Sequence, residues 1–226
     1  MSQTNVPRRV MRQRWSKILL FVLCLYPVVR WFWLGTHDGL SANPPEFLIR
    51  SSGTWALVLL WVTLCVTPLR RILNRPALVR YRRMLGLYAF FYTVLHVVAW
   101  ALWDRGGVWG SMWDDIGART FITIGTVATL MLVPLALTST QGWMRRLGRN
   151  WTRLHALIYP AAMLSVWHFY LMRAGKNDFF EPNVYTATLV GLFALRGIYR
   201  WRRARPGRPV QQPVSGGSRL SRQIQK

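Results

Sequence analysis

The chain has 226 residues, of which 52% are hydrophobic and 14% aromatic, and only 16% are charged, below the roughly 25% of an ordinary soluble domain. Thirty Lys and Arg stand against seven Asp and Glu, a formal net charge of +23. A nucleic-acid binder would gather such charge on one soluble face; here it is parcelled out between long apolar runs, which excludes nucleic acid and leaves a membrane protein.

In chain order, a basic N-terminus, residues 1–17, precedes a first apolar run from Ile18 to Leu34. Bulky Trp31-Phe32-Trp33 stands where signal-peptide cleavage needs small residues, so this run is expected to stay as a helix. The next runs are Gly53 to Leu69, Met84 to Trp103, Phe121 to Thr138, Leu154 to Met172 and Tyr185 to Tyr199. Each is near the ~17–25 residues that cross a bilayer as a helix. None alternates as a barrel strand does, so the fold class is an all-α integral membrane protein, a six-helix bundle over residues 18–199. Arg30 and Arg196 lie near the ends of their runs, from which they can snorkel to the headgroups. Residues 200–226, rich in Arg, Pro, Gly, Ser and Gln, read as a disordered basic tail held near anionic lipid.

The connections carry the orientation. The N-terminus, Arg70 to Arg83, Arg145 to Arg153 and the tail from Arg196 hold 24 of the 30 basic residues. The other three connections hold every acid: Asp38, Glu46, Asp104, Asp114, Asp115, Asp178 and Glu181. Both termini are then expected in the cytoplasm and the acidic loops outside. Tryptophans such as Trp31, Trp55, Trp103 and Trp151 sit near run ends, as an interfacial belt does. Cys24 and Cys65 fall inside runs, read as packing residues, and give no metal motif. There is no nucleotide fingerprint, no Walker sequence and no repeat of fixed period. Whatever drives the protein comes from a partner or a membrane-soluble carrier.

Chemistry is therefore sought among ionisable residues within the runs, which are costly there and usually functional. They are His96, His155 and His168; His37 lies in the first outer loop and reads as solvated. No carboxylate shares a run with them, which disfavours a proton relay, and imidazole without carboxylate or thiolate suits haem iron. At 1.5 Å per residue, His96 lies about 21 Å beyond Arg82, and His168 lies about 20 Å beyond His155. His96 and His168 thus share an outer level, as two axial ligands of one haem must. His155 sits at the inner level, opposite Arg82 and no histidine. On ideal helices Arg82 and His96 fall within about 40° of one face, but His155 and His168 are about 140° apart, and Pro160 between them permits re-phasing.

The runs Tyr81-Arg82-Arg83-Met84-Leu85-Gly86-Leu87-Tyr88, Thr138-Ser139-Thr140-Gln141 and Leu147-Gly148-Arg149-Asn150-Trp151, the Thr67-Pro68 pair and the three histidines carry a resemblance. In order and spacing the chain resembles the MsrQ family, haem-binding membrane subunits of the periplasmic protein-methionine-sulfoxide reductase system, within the ferric-reductase-like transmembrane group. The resemblance implies a b-type haem protein of the bacterial inner membrane, a non-catalytic electron-transfer subunit with one or two haems. It passes electrons outward to a periplasmic molybdopterin-containing reductase. The resemblance also implies FMN, with a cytoplasmic flavin reductase or membrane quinol as donor.

Carried over residue by residue, His96 and His168 match the axial ligands of the outer haem, and His155 matches the family's third histidine. Arg82 stands where related oxidases often have another histidine, which leaves the inner site open to His155 with Arg82 at a propionate or to a flavin-associated site. Arg82, Arg83 and Arg153, with Arg149, are candidates to pair with propionates or a flavin phosphate, a role that suits guanidinium. Two other classes remain at this point, an ion-coupled transporter and a cofactor-free structural subunit. The first lacks intramembrane carboxylates, and the second makes the depth match of His96 and His168 an accident.

Overall fold

The computed structural model describes residues 5–175 and 177–204. Those residues form helices and no strand, as the unbroken apolar runs require. The stretch 205–226 of the expected tail, the first four residues and Lys176 lie outside them.

Helix α1 (Asn5–Thr36) leads through a short turn to α2 (Pro44–Ile72), α3 (Val79–Ala99) continues into a π-helical turn (Trp100–Asp104), and α4 (Trp109–Ala118) leads to α5 (Thr120–Leu137). Short helices α6 (Gln141–Leu147) and α7 (Arg149–Leu154) and a 3₁₀ turn (His155–Leu157) precede α8 (Ile158–Ala174) and α9 (Phe180–Ala204). Among the described residues, five stretches are long and apolar enough to cross a membrane: Arg14–Thr36, Pro44–Ile72, Pro76–Asp104, Thr120–Leu137 and Arg149–Ala174. The sixth expected span falls on α9, a 25-residue helix in which Arg196 and Arg200 dilute the apolar character.

Helix α1 already begins at Asn5, within the basic stretch ahead of Ile18, and the start of α2 differs from the sequence reading in the same direction. The apolar run begins at Gly53, but the helix begins at Pro44, where Asn43 accepts from the Glu46 N–H, a normal cap with proline in the first turn. Arg50, Ser51 and Ser52 hide these turns from a hydropathy reading. Ser52, buried, satisfies its hydroxyl within the helix on the Leu48 carbonyl, and Ser51 accepts the Trp31 indole N–H at 2.9 Å. The short helix α4 occupies a stretch that reads as loop.

Two antiparallel hairpins form the bundle, α2 against α3 and α5 against α8. Leu57, Leu60, Leu64, Leu85, Ala89, Leu132, Ala161 and Val166 fill the space between them. Helix α1 is a peripheral layer that exposes Leu19, Val22, Leu23 and Phe32. Tyrosines of α3 pin it: Tyr92 donates to the Cys24 carbonyl at 2.7 Å and Tyr88 to that of Phe21 at 3.3 Å.

Helix α9 is fastened by a proline defect. Pro68 has no N–H to give the Leu64 carbonyl one turn earlier, and Leu64 is fully buried. Arg196 reaches across from α9 and donates its Nη2 to that carbonyl at 2.6 Å. Between α6 and α7 the chain turns at Gly148 with φ 50° and ψ −120°, a combination open to glycine alone.

Candidate functional site

A cavity of about 590 Å³ opens between the two hairpins at the end of the bundle that carries the acidic residues, within the usual range for cofactor sites. His96 of α3 and His168 of α8 both line it. Their ring centroids are 6.1 Å apart and their planes 77° apart. The two histidines that depth arithmetic puts on one level thus lie opposite each other across the cavity, their rings nearly perpendicular.

Each ring is held at its far edge by backbone of the opposing helix in its own hairpin. His96 Nδ1 is 2.8 Å from the Ile49 carbonyl, and His168 Nδ1 is 2.6 Å from that of Phe121. A carbonyl only accepts, so Nδ1 carries the proton in each ring and Nε2 keeps its lone pair, the tautomer that binds metal. One turn further along sit Gly53 and Gly125. A Cβ on Gly53 would come within 3.0 Å of the His96 ring, and one on Gly125 within 2.8 Å of His168. These glycines serve as flat rests against which an imidazole can lie.

The two halves share one plan. Ile49 and Phe121, Gly53 and Gly125, Thr93 and Ser165, and His96 and His168 are each separated by 72 residues. Thr93 and Ser165 both return their hydroxyls to the carbonyl four residues back, on Ala89 and Ala161. A regular spacing is therefore present although no repeat is visible in the sequence, because the matches are single residues scattered over dissimilar helices. Gly53, Gly125 and the two carbonyls escape a reading based on ionisable side chains. The signal available for them was this shared offset from each histidine.

The pair fits haem. Metal–imidazole bonds are about 2.0 Å and a ring centre lies about 1.1 Å behind its nitrogen, so two imidazoles on one iron place their centres about 6.2 Å apart. Two protein ligands are also what iron needs when a macrocycle supplies the other four. Below the rings the walls are apolar, with Leu57, Leu60 and Leu132.

The rim is charged and internally balanced. Arg50 pairs with Glu46 at 2.5 Å, and Arg173 pairs with Asp178 at 2.9 Å and with Glu181. Asp115 of α4, 5% exposed, takes Arg119 at 2.8 Å and Arg105 at 3.2 Å, while the Trp100 indole donates to it at 3.3 Å. Arg105 also binds Asp104 at 2.6 Å. This clasp ties the π-helical turn to the start of α5, two residues before the Phe121 carbonyl that holds His168.

The other candidates lie elsewhere. His155 is outside the cavity, in the 3₁₀ turn before α8, with its ring stacked on Trp151 at 3.9 Å and Nδ1 on the Trp151 carbonyl at 3.1 Å. The helix is re-phased there, just ahead of Pro160, and not at the proline itself. Arg82 is half-buried within electrostatic reach of His155, while Arg83 and Arg153 are exposed at the same basic end. His37 is exposed and stacked on Trp33 at 3.9 Å.

Two histidines facing one cavity between two helical hairpins of a membrane bundle suit a haem-binding protein, and the family described as the ferric reductase like transmembrane component matches residues 52–166. The heme-binding subunit MsrQ of protein-methionine-sulfoxide reductase from Bordetella pertussis is 54% identical over 187 residues, covering 83% of this chain and 91% of that protein. The MsrQ of Ralstonia nicotianae is 48% identical over 203 residues, 89% and 91% of the two chains, and that of Xanthomonas euvesicatoria 44% over 187 residues, 80% and 85%. The chain belongs to the MsrQ family of heme-binding membrane subunits. No solved structure matches it significantly.

Proposed function

We propose that this chain is the b-type haem electron-transfer subunit of a protein-methionine-sulfoxide reductase system. In this reading it is a multi-pass protein of the bacterial inner membrane that feeds electrons to a periplasmic molybdopterin-containing catalytic subunit. The observation that carries the reading is the pair His96 and His168, tautomer-set by the Ile49 and Phe121 carbonyls and facing across one cavity. Haem bound there supplies one-electron chemistry. The chain's own part is to hold two neutral imidazoles rigidly on Gly53 and Gly125, so that little moves on electron transfer, and to line the lower cavity with leucines that exclude water.

Six spans, with α9 as the sixth, place both termini in the cytoplasm and the His96–His168 level near the outer face, where the acidic loops meet the partner. The basic end, with His155, Arg82, Arg83 and Arg153, is the side on which a cytoplasmic flavin reductase or a membrane quinol delivers electrons, and where FMN, implied by family resemblance, would sit. His155 has no second imidazole at its level, so one haem per chain is the expected stoichiometry.

Absorption spectroscopy tests the reading. Purified protein reconstituted with haem should show a Soret band, absent in His96→Ala and in His168→Ala and unshifted in His155→Ala. No Soret band in the wild type sinks the proposal, and loss in all three variants sinks the pairing. Prereduced protein mixed with the molybdenum subunit should reoxidise only when a methionine sulfoxide substrate is also present.

A further inference from the structure

Helix α4, in the connection between α3 and α5, exposes two indoles. Trp109 and Trp113 are 76% and 68% exposed, and Val108 just ahead of the helix is exposed as well. At about 100° per residue the two tryptophans fall within about 40° of each other, with the half-buried Met112 and Ile116 on their flank. Asp115 points into the protein, where Arg105 and Arg119 neutralise it, and the exposed Asp114 stands about 100° further round. The helix thus has a clasped inner face, a wet face at Asp114 and an apolar face that bears no charge.

The surroundings of the apolar face decide what covers it. On α3, Val94, Val98 and Leu102 form an exposed apolar stripe at four-residue spacing, the surface that a spanning helix turns to lipid. Leu102 lies against the Gly107 turn, so this stripe leads directly into Val108 and Trp109. Helix α4 does not prolong α5. Arg119 between them is extended, with φ −112° and ψ 104°, and Thr123 donates back across the bend to the Ile116 carbonyl. The helix is therefore turned off the α5 axis at the point where α5, itself of spanning length, begins. Indoles favour that level of a bilayer, with the apolar ring at the acyl boundary and the N–H among the headgroups. A docking site for a soluble protein is closed by a polar rim, whereas here the margin towards α3 is more lipid-facing surface.

We infer that α4 is an interfacial helix whose Trp109–Trp113 face lies in the headgroup boundary of the leaflet at the acidic end, covered by lipid. No Lys or Arg stands on that face, so zwitterionic lipid is enough. Because the same helix carries Asp115, this anchor ties the bilayer surface to the start of α5 through the Arg119 pair.

The test uses full-length, haem-loaded protein with Cys24 and Cys65 replaced by Ala, in phosphatidylcholine nanodiscs. Nitroxide labels on Trp113→Cys and on Asp114→Cys report collisions with oxygen, which concentrates in the bilayer, and with a water-soluble nickel chelate. The oxygen-to-nickel ratio at 113 should exceed that at 114 several-fold. Equal, aqueous ratios at the two positions overturn the inference. Protection of 113 from nickel only after the molybdenum subunit is added also overturns it and assigns the face to that protein. Should Trp113→Cys fail to load haem, Trp109→Cys against Gly110→Cys carries the same comparison. With both indoles removed, as Trp109→Ser with Trp113→Ser, amide exchange over residues 105–118 should quicken several-fold in nanodiscs. Wild-type exchange there would show that the face anchors nothing.

Discussion

At the scale of single residues, the site depends as much on what is missing as on what is present. Gly53 and Gly125 have no side chain, and the imidazoles occupy that space. Gly→Ala in a helix ordinarily stabilises it by about 1 kcal/mol, so a loss here isolates the steric effect on the ring. Gly125→Ala should lower haem content more than Gly53→Ala, because its Cβ approaches the ring to 2.8 Å against 3.0 Å. Haem-to-protein ratio from the Soret band checks this, and equal, full occupancy in both variants would contradict the role given to them. The histidines themselves were legible in the sequence because ionisable groups are rare inside apolar runs. The glycines were not, since a glycine in a membrane helix has no distinctive chemistry until its neighbour is known.

At the scale of elements, two irregularities place side chains that regular helices would not. The π-helical turn at Trp100–Asp104 swings Trp100 toward Asp115, and the clasp of Arg105 and Arg119 on that carboxylate fixes α4 against α5. Breaking a buried pair by removing one partner typically costs about 3–5 kcal/mol. Asp115→Ala should therefore lower the thermal midpoint, speed amide exchange over residues 105–118, and loosen the Phe121 carbonyl on His168, seen as a broadened Soret band. Wild-type exchange in that segment would count against the clasp.

The second irregularity is Pro68. Replacing it with alanine supplies the N–H that the Leu64 carbonyl lacks, so Arg196 is no longer needed there. Arg196→Leu should then be less damaging in the Pro68→Ala background than alone, with a coupling of about 1–2 kcal/mol in a double-mutant cycle. Additive effects would show that the Leu64 contact contributes nothing. Helix α2 runs past Pro68 to Ile72, and a distant arginine satisfies the carbonyl that the proline frees.

For the whole molecule, the proposed orientation rests on the separation of charge. Single cysteines introduced at Asp114 and Arg202 into a chain whose Cys24 and Cys65 are replaced by Ala should label from opposite sides of intact inner-membrane vesicles, position 114 from the periplasmic side. Labelling of both from one side would leave α9 short of a sixth span.

Length along the membrane normal was determined by the sequence alone: apolar runs, the acidic and basic ends, and the matched depth of His96 and His168 all follow from counting residues at a fixed rise. Rotation about the helix axes was decided only by the tertiary structure. The ideal-helix phase of His155 against His168 is altered by the 3₁₀ turn at His155–Leu157, and the direction of each cavity-lining ring is set by a carbonyl 47 residues away. Rise accumulates linearly and tolerates local defects, whereas azimuth shifts by tens of degrees at each defect and is settled by contacts between helices remote in the chain.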